Sequence, residues 1–325
     1  MKKFTFVIAI FISTLTMAQT AKINIVEHFT NTRCSICAAK NPAMYDVLDQ
    51  YPDVIHISYH PSSPYSNCVL SQHNPSENDE RTNFYGLYGG TPSAALNGTP
   101  LPNQSPIVKT GDLDQVTDEM SAFSVLVELS EGTNNQMNVS VTVEKLSENS
   151  SENLQLYVAL AEDKVQYAAP NGEDIHHDVF RLKLGNEIMN SMEIGETEVF
   201  TYSYSFDSNW VANEMFAYAI LQTDTKEVVQ ADKSPLAGAL TGIENSLIKN
   251  GELNIFPNPT HNLLNINNRS ELQFANVSIY NTHGQLVLLQ EFNDVINVEN
   301  LNTGIYILQI QLANGKSLPY KFQKI

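Results

Sequence analysis

The stretch that most restricts the fold of this chain lies near its start. Residues 23–29 are mostly apolar and read as a short buried strand. After the loop Thr30-Asn31-Thr32-Arg33 comes Cys34-Ser35-Ile36-Cys37. Residues 37–51 then place Ala39, Ala43, Val47 and Leu48 on one side of a helix. A strand that feeds a helix through two cysteines sets the thiols at the helix N-terminus. Unpaired N–H groups and the positive end of the helix dipole favour a thiolate there. Arg33 adds a neighbouring positive charge. Cys34 is then the expected exposed nucleophile, and Cys37, one turn on, the buried resolving thiol. Such a pair cycles between dithiol and disulfide through a mixed disulfide.

The rest of the first segment mixes helix and strand. Residues 54–59 read as a second strand and 60–74 as a polar loop with Pro61 and Pro64. Residues 75–85 suit a helix with Ser76 as a candidate N-cap. Residues 93–96 read as a strand, followed by Asn97-Gly98, a strong hairpin signal. Residues 107–121 fit a closing helix. From 124 to 232 the pattern is strand after strand: 124–129, 137–143, 154–161, 179–184, 197–206 and 217–223, with turn clusters between them. That density predicts an Ig-like β-sandwich. A linker at 233–252 leads to short strands over 253–325, with turns at 281–284, 302–304 and 314–315.

The chain begins with Lys2 and Lys3, an apolar run over 4–15 and small residues at Thr16 and Ala18. These are the three parts of a secretory leader, expected to be cleaved after Ala18. The run is shorter than the roughly 20 residues that cross a bilayer, and no later stretch is long and apolar enough, so the chain is not expected to span a membrane. Without Lys2 and Lys3, 16 basic residues face 36 acidic ones, a net charge of −20. So acidic a surface argues against nucleic acid as a partner. The three cysteines, Cys34, Cys37 and Cys68, are too few for a disulfide framework.

Other features raise the C-x-x-C above a lone motif. Pro42 lies five positions after Cys37, and Thr91-Pro92 follows Gly89-Gly90 and precedes the strand at 93–96. Together these residues resemble the thioredoxin superfamily. The resemblance implies a cis Pro92 beside Cys34 and Cys37, with the Thr91 backbone free to pair with a bound peptide. This chain departs from that pattern. A thioredoxin carries a buried acid six positions before the first cysteine; His28 stands there, with Glu27 beside it. Arg33 replaces an aromatic residue, and Ser35-Ile36 replaces Gly-Pro. Arg33, Glu27 and His28 are the candidates for tuning the thiols, with Glu27 and His28 both open as proton acceptor for Cys37. Two other uses of the cysteines stay open: an inert structural clip, or half a zinc site completed by His56, His60 or His73. No second C-x-x-C completes such a site, so neither a metal nor a cofactor is expected. Cys68 reads as a loop thiol, with a third redox role left open. His176-His177-Asp178 reads as the start of a strand, because neighbouring strand residues point to opposite faces.

Two further resemblances concern the whole chain. Residues 26–30 and 177–181, in a thioredoxin-like domain followed by a sandwich, resemble the Bacteroidetes family named after a twenty-eight-kilodalton outer-membrane protein. The segments Asn254-Ile255-Phe256-Pro257-Asn258-Pro259-Thr260, 277–287 and 301–308 resemble the type A C-terminal sorting domain of the type IX secretion system. The expected organisation is a leader at 1–18, a thioredoxin-like α/β domain at 20–122, an Ig-like β-sandwich at 124–232, the linker, and a small β-sandwich sorting domain at 253–325. The expected function is thiol–disulfide exchange on protein or peptide thiols, secreted or at the cell surface, with the type IX machinery as a partner. The alternative is a non-catalytic surface binding protein on a thioredoxin-like scaffold.

Overall fold

The computed structural model describes residues 19–131, 136–149, 151, 153–237, 253–268, 273–281, 286–312 and 317–325. The leader, most of the linker, and most or all of the turns expected at 281–284 and 314–315 lie outside the described residues.

The first part contains β1 (Thr20–Ala21), β2 (Ile25–Phe29), α1 (Ser35–Leu48), β3 (Ile55–Tyr59), α2 (Val69–Gln72), α3 (Pro75–Phe84), β4 (Ser93–Leu96), β5 (Thr99–Pro100), α4 (Thr110–Asp114) and β6 (Met120–Ser121). A second part follows with β7 (Phe123–Glu131), β8 (Gln136–Lys145), β9 (Gln155–Gln166), β10 (Ile175–Ile188), β11 (Thr197–Ser205), β12 (Met215–Gln222) and β13 (Val228–Lys233). The tail has β14 (Leu253–Phe256), β15 (Leu263–Asn268), β16 (Phe274–Asn281), β17 (Leu286–Glu291), β18 (Val295–Asn297), β19 (Gly304–Leu312) and β20 (Ser317–Lys324). The chain is thus β-rich, with several sheets and few helices.

β2 and β3 run parallel, and β4 and β5 add antiparallel beyond β2. β2 and β3 are buried along their whole length, as strands covered on both faces must be. The β4–β5 turn carries Asn97 at φ 48° and Gly98 at φ 86°, the paired left-handed residues of a tight hairpin. A Cβ on Gly98 would lie 1.6 Å from the Lys226 carbonyl oxygen, so glycine is required there. α3 starts two residues earlier than a Ser76 cap would set it. Pro75 takes the first helical position, and the Asn74 side chain accepts from the Glu77 N–H as the cap. The closing helix shrinks to α4, and Thr117 and Asp118, both weak helix formers, follow its end.

One sheet joins the first two parts. Its order is β13-β12-β9-β10-β3-β2-β4-β5, and the two halves meet where β10 pairs parallel with β3, Val179 opposite Ser58. A separate antiparallel sheet, β11-β8-β7, covers the β9–β12–β13 half, and Val139, Val141, Leu156, Val158, Ala217 and Leu221 form the core between them. The opposite face holds Ile25, Phe29, Ile57, Tyr59, Tyr157, Phe180 and Tyr218, with Phe84 and Tyr85 from the α3 end packed on it. α1 and α4 pack with Val26, Ala94 and Leu96 on the other side of β2 and β4. In the tail, β14-β15-β18 and β17-β16-β19-β20 enclose Leu264, Val277, Ile279, Leu308 and Phe322.

A buried ion pair sits where the halves join. Arg81 Nε donates to Glu27 Oε1 at 2.6 Å and its Nη2 to Glu27 Oε2 at 3.0 Å. Arg81 also donates to Gln222 Oε1 on β12 and stacks 4.3 Å from the Tyr157 ring on β9. Tyr85 donates its hydroxyl to Glu27. Removing one partner of such a pair strands the other charge. Arg81→Ala is therefore expected to cost about 3–5 kcal/mol in urea denaturation. The double replacement Glu27→Leu with Arg81→Met should cost clearly less, and equal losses would contradict the pair's role.

Candidate functional site

β2 delivers the cysteine loop. Cys34 is the N-cap of α1, with φ −85° and ψ 108°, and its Sγ accepts the Cys37 backbone N–H at 3.0 Å. The first turn of α1 carries no acidic residue. Cys34 and Cys37 form a disulfide with their Cα atoms 5.1 Å apart. Cys34 is 4 % exposed and Cys37 is fully buried. In this oxidised form Cys34 is therefore covered rather than exposed; the exposed members of the motif are Ser35 and Ile36, the latter at 57 %.

The Thr91-Pro92 peptide is cis. The Thr91 carbonyl oxygen lies 3.8 Å from Cys34 Sγ, so the segment before β4 edges the disulfide. Arg33 is exposed, and its Nε donates to the Asn67 carbonyl at 2.9 Å. Its charge is held against the 61–67 loop in solvent, where screening weakens its field at the sulfur. That loop is tied to the cysteine loop by Asn31, which donates to the Pro61 carbonyl. Cys68 is buried 3.1 Å from the Thr32 hydroxyl.

Glu27 and His28, adjacent on β2, separate as strand geometry requires. Glu27 points to the α3 face and is consumed by Arg81 and Tyr85. That face lies across the sheet from the side that packs on α1. His28 points to the α1 face, 6.2 Å between ring centres from Tyr45. Its Nδ1 lies 3.4 Å from His56 Nε2, and His56 Nδ1 lies 2.8 Å from Asp178 Oδ2. Burial first, and then the neighbouring His56, hold His28 well below the usual imidazole range, while Asn41 favours the charged ring. His28 Nε2 and Asn41 Oδ1 both lack a close hydrogen-bond partner.

The second part of the chain contributes more than expected. Asp178 adopts φ +48°, a region open to Asp, and its carboxylate meets His56. His176 bonds to the Tyr167 carbonyl and faces His60, while the His177 ring is 4.6 Å from Tyr45. The two histidines thus go to different neighbours. Among the described residues no group of three or more His, Cys, Asp or Glu side chains is arranged to hold a metal ion. His73 accepts from the Trp210 indole at 2.7 Å. The tip between β9 and β10 reaches the cysteine loop: the Asn171 N–H donates to the Thr32 carbonyl at 3.2 Å and its side-chain amide to the Cys34 carbonyl at 3.2 Å. Asn41 on α1 donates to Glu173 Oε1 at 2.8 Å. Tyr45 is pushed far above the usual phenol range by burial first, then by Glu173 and Asp178. By sequence, Pro170-Asn171-Gly172 carries a turn signal, and nothing local marks where a turn will dock.

Residues 254–322 match the family model of secretion system C-terminal sorting domains. The chain is a secreted or cell-surface protein, and its tail implies the type IX secretion machinery. Among solved structures it is similar to HBP35 of Porphyromonas gingivalis, with 16 % identity, 94 % of this chain and 99 % of that chain covered, and a TM-score of 0.58. That likeness is one of fold. A domain of the outer membrane lipoprotein Omp28 from Porphyromonas gingivalis is also matched, at 14 % identity over 36 % of this chain and 88 % of that one, with a TM-score of 0.24, too low to argue from. No curated protein matches the sequence. No helix among the described residues is long and apolar enough to cross a membrane.

Buried neutral histidines make stability depend on pH. His28 and His60 are both held well below the ordinary value of 6.5, mainly by burial. The unfolded chain therefore binds their protons first, and stability falls as pH drops below that value. Denaturation should show a loss between about pH 7.5 and about pH 5, and His28→Gln should lose less over that interval. Parallel losses in the two proteins would mean that His28 titrates alike folded and unfolded.

Proposed function

We propose that this chain is a secreted or cell-surface thiol–disulfide oxidoreductase that acts on protein or peptide thiols through Cys34 and Cys37. The observation that carries the reading is the seat of Cys34. Its Sγ caps α1 and accepts the Cys37 N–H, with the Thr91 carbonyl beside it. A thiolate released there keeps that hydrogen bond and the helix dipole. The order β3-β2-β4-β5, with the cysteines after β2, supports reading residues 20–122 as a thioredoxin-like module. In the same reading residues 124–232 are an Ig-like sandwich, 253–325 a sorting module, and 1–18 a leader. Residues 23–231 fall to the twenty-eight-kilodalton outer-membrane family by resemblance.

The chemistry balances as follows. A substrate thiolate attacks Cys34 Sγ, the Cys34–Cys37 bond breaks, and Cys37 leaves as a thiolate that takes a proton. A second substrate thiolate then attacks the substrate sulfur of the mixed disulfide and releases Cys34. The substrate has lost two electrons as a new disulfide, and the chain holds two thiols; the reverse sequence reduces a substrate disulfide. Thr91 and Pro92 border the attacked sulfur, where an extended peptide can pair with backbone. Arg33, Glu27 and His28 are the tuning candidates, and of the two on β2 it is His28 that lies on the α1 face. The burial of Cys34, at 4 % exposure, favours a second reading: a structural clip in a non-catalytic surface binding protein.

Cys37→Ser separates the two. Without the resolving thiol, Cys34 should accumulate mixed disulfides with partner proteins, seen as adducts that reductant releases, whereas Cys34→Ser should give none. An exported Cys37→Ser chain without adducts would favour the clip. Deleting residues 253–325 should abolish surface delivery, measured by cell fractionation, while Cys34 and Cys37 still form their disulfide. Normal delivery of the shortened chain would refute the role of the tail.

A further inference from the structure

The tip between β9 and β10 makes a set of contacts that packing alone does not require. The Asn171 side-chain amide donates to the carbonyls of Asn31 at 3.4 Å and Cys34 at 3.2 Å, and to Glu173 Oε2 at 2.6 Å. The Asn171 backbone N–H takes the Thr32 carbonyl. Glu173 Oε1 accepts from Asn41, and Asn41 in turn donates to the Thr30 hydroxyl at 3.0 Å. Two side chains of the β-module therefore grip both sides of the disulfide: the loop 31–34 that ends at Cys34, and α1 at Asn41. Asn41 lies four residues beyond Cys37, on the same helix face and roughly 5–6 Å along it. Cys37 and Asn41 are both buried.

We propose that Asn171 and Glu173 are positioning residues for the Cys34–Cys37 pair, through which the β-module sets the balance between its disulfide and dithiol forms. The inference rests on the exchange function proposed above and assigns that function a control element outside residues 20–122. Two effects act in one direction. The hydrogen bonds to the 31–34 loop hold its backbone in the conformation of the disulfide, which raises the effective concentration of one sulfur toward the other. The Glu173 carboxylate, anchored one turn from Cys37, disfavours a thiolate there by like charge. A dithiol form is strengthened when its thiolate is stabilised. Loosening the grip, or removing the charge, should therefore favour the dithiol.

The test equilibrates the full chain with glutathione buffers of graded ratio and reads the alkylated fraction of the Cys34 and Cys37 peptides by mass. Asn171→Ala and Glu173→Gln should each shift the equilibrium toward dithiol at least threefold, about 14 mV for a two-electron couple. Lys183→Ala, which breaks the pair between Lys183 on β10 and Glu80 on α3, should leave it within twofold of wild type. Glu173→Gln has the size of the native side chain and carries the test if Asn171→Ala does not fold. A wild-type pair that exchanges normally, with both variants within twofold of it, overturns the control by the β-module and leaves the exchange function standing. A shift in Lys183→Ala as large as in the other two would also overturn it, because any loosening of β10 would then suffice. A wild-type pair that neither glutathione nor dithiothreitol reduces ends both readings.

Discussion

One parallel backbone pairing, Val179 on β10 against Ser58 on β3, governs how the rest of this molecule is arranged. It brings a strand more than a hundred residues away to the free edge of β3. Once β10 lies there, Ser58 Oγ donates to the His177 carbonyl at 2.7 Å, Asp178 faces His56, and the β9–β10 tip falls on the cysteine loop. The pairing also buries β3 on both faces and both edges. That is why Glu27, two strands in, can hold an ion pair with only 0 % of its surface exposed. A charge so far from water is tolerable only with a bidentate partner and further hydrogen bonds, which Arg81 and Tyr85 supply.

Much of this was legible in the sequence, and for local reasons. β2, β3 and β4 are short apolar runs. α1 follows from helical spacing and a helix-starting loop, and the β4–β5 hairpin from Asn97-Gly98. The alternation of buried and part-buried residues along β8 is visible in Met137, Val139, Val141 and Val143. Long-range choices were not legible. A fully buried strand such as β3 carries no mark of what lies on its edge, and neither does β10. β13, Val228–Lys233, carries no clear strand signal in the sequence, because its polar residues Gln230 and Asp232 mask a largely buried strand. The strand rule said that Glu27 and His28 diverge; it could not say which of them α1 would cover.

The same limit applies to His176-His177-Asp178, which starts β10 as its sequence implies. Alternation separated His176 from His177, and the structure agrees, since the two rings have different neighbours. Alternation by itself says nothing of where Asp178 turns. Asp178 escapes it because a left-handed residue leaves the strand path and redirects its side chain. Local propensity permits that conformation in Asp without demanding it. The demand comes from His56, whose Nδ1 would otherwise lie buried against β10 without a partner.

With His28 on the α1 face of β2, the interior under α1 holds an imidazole rather than a carboxylate from that strand. A carboxylate there would be held ionised or neutral by its own surroundings. A buried imidazole is neutral at ordinary pH, and here it abuts a second imidazole tied to Asp178. The net charge near the helix N-terminus is then set by groups brought in from outside β2. Glu173 and Asp178 are the carboxylates that reach this space, both from the β9–β10 hairpin region, and both raise the phenol of Tyr45 on α1. The carboxylates around Tyr45 on α1 thus come from the β9–β10 region rather than from β2. An isolated first module would keep its cysteines, its helix cap and Thr91, yet lack the carboxylates around α1. The continuous sheet is therefore as much a part of the cysteine site's electrostatics as it is of the fold.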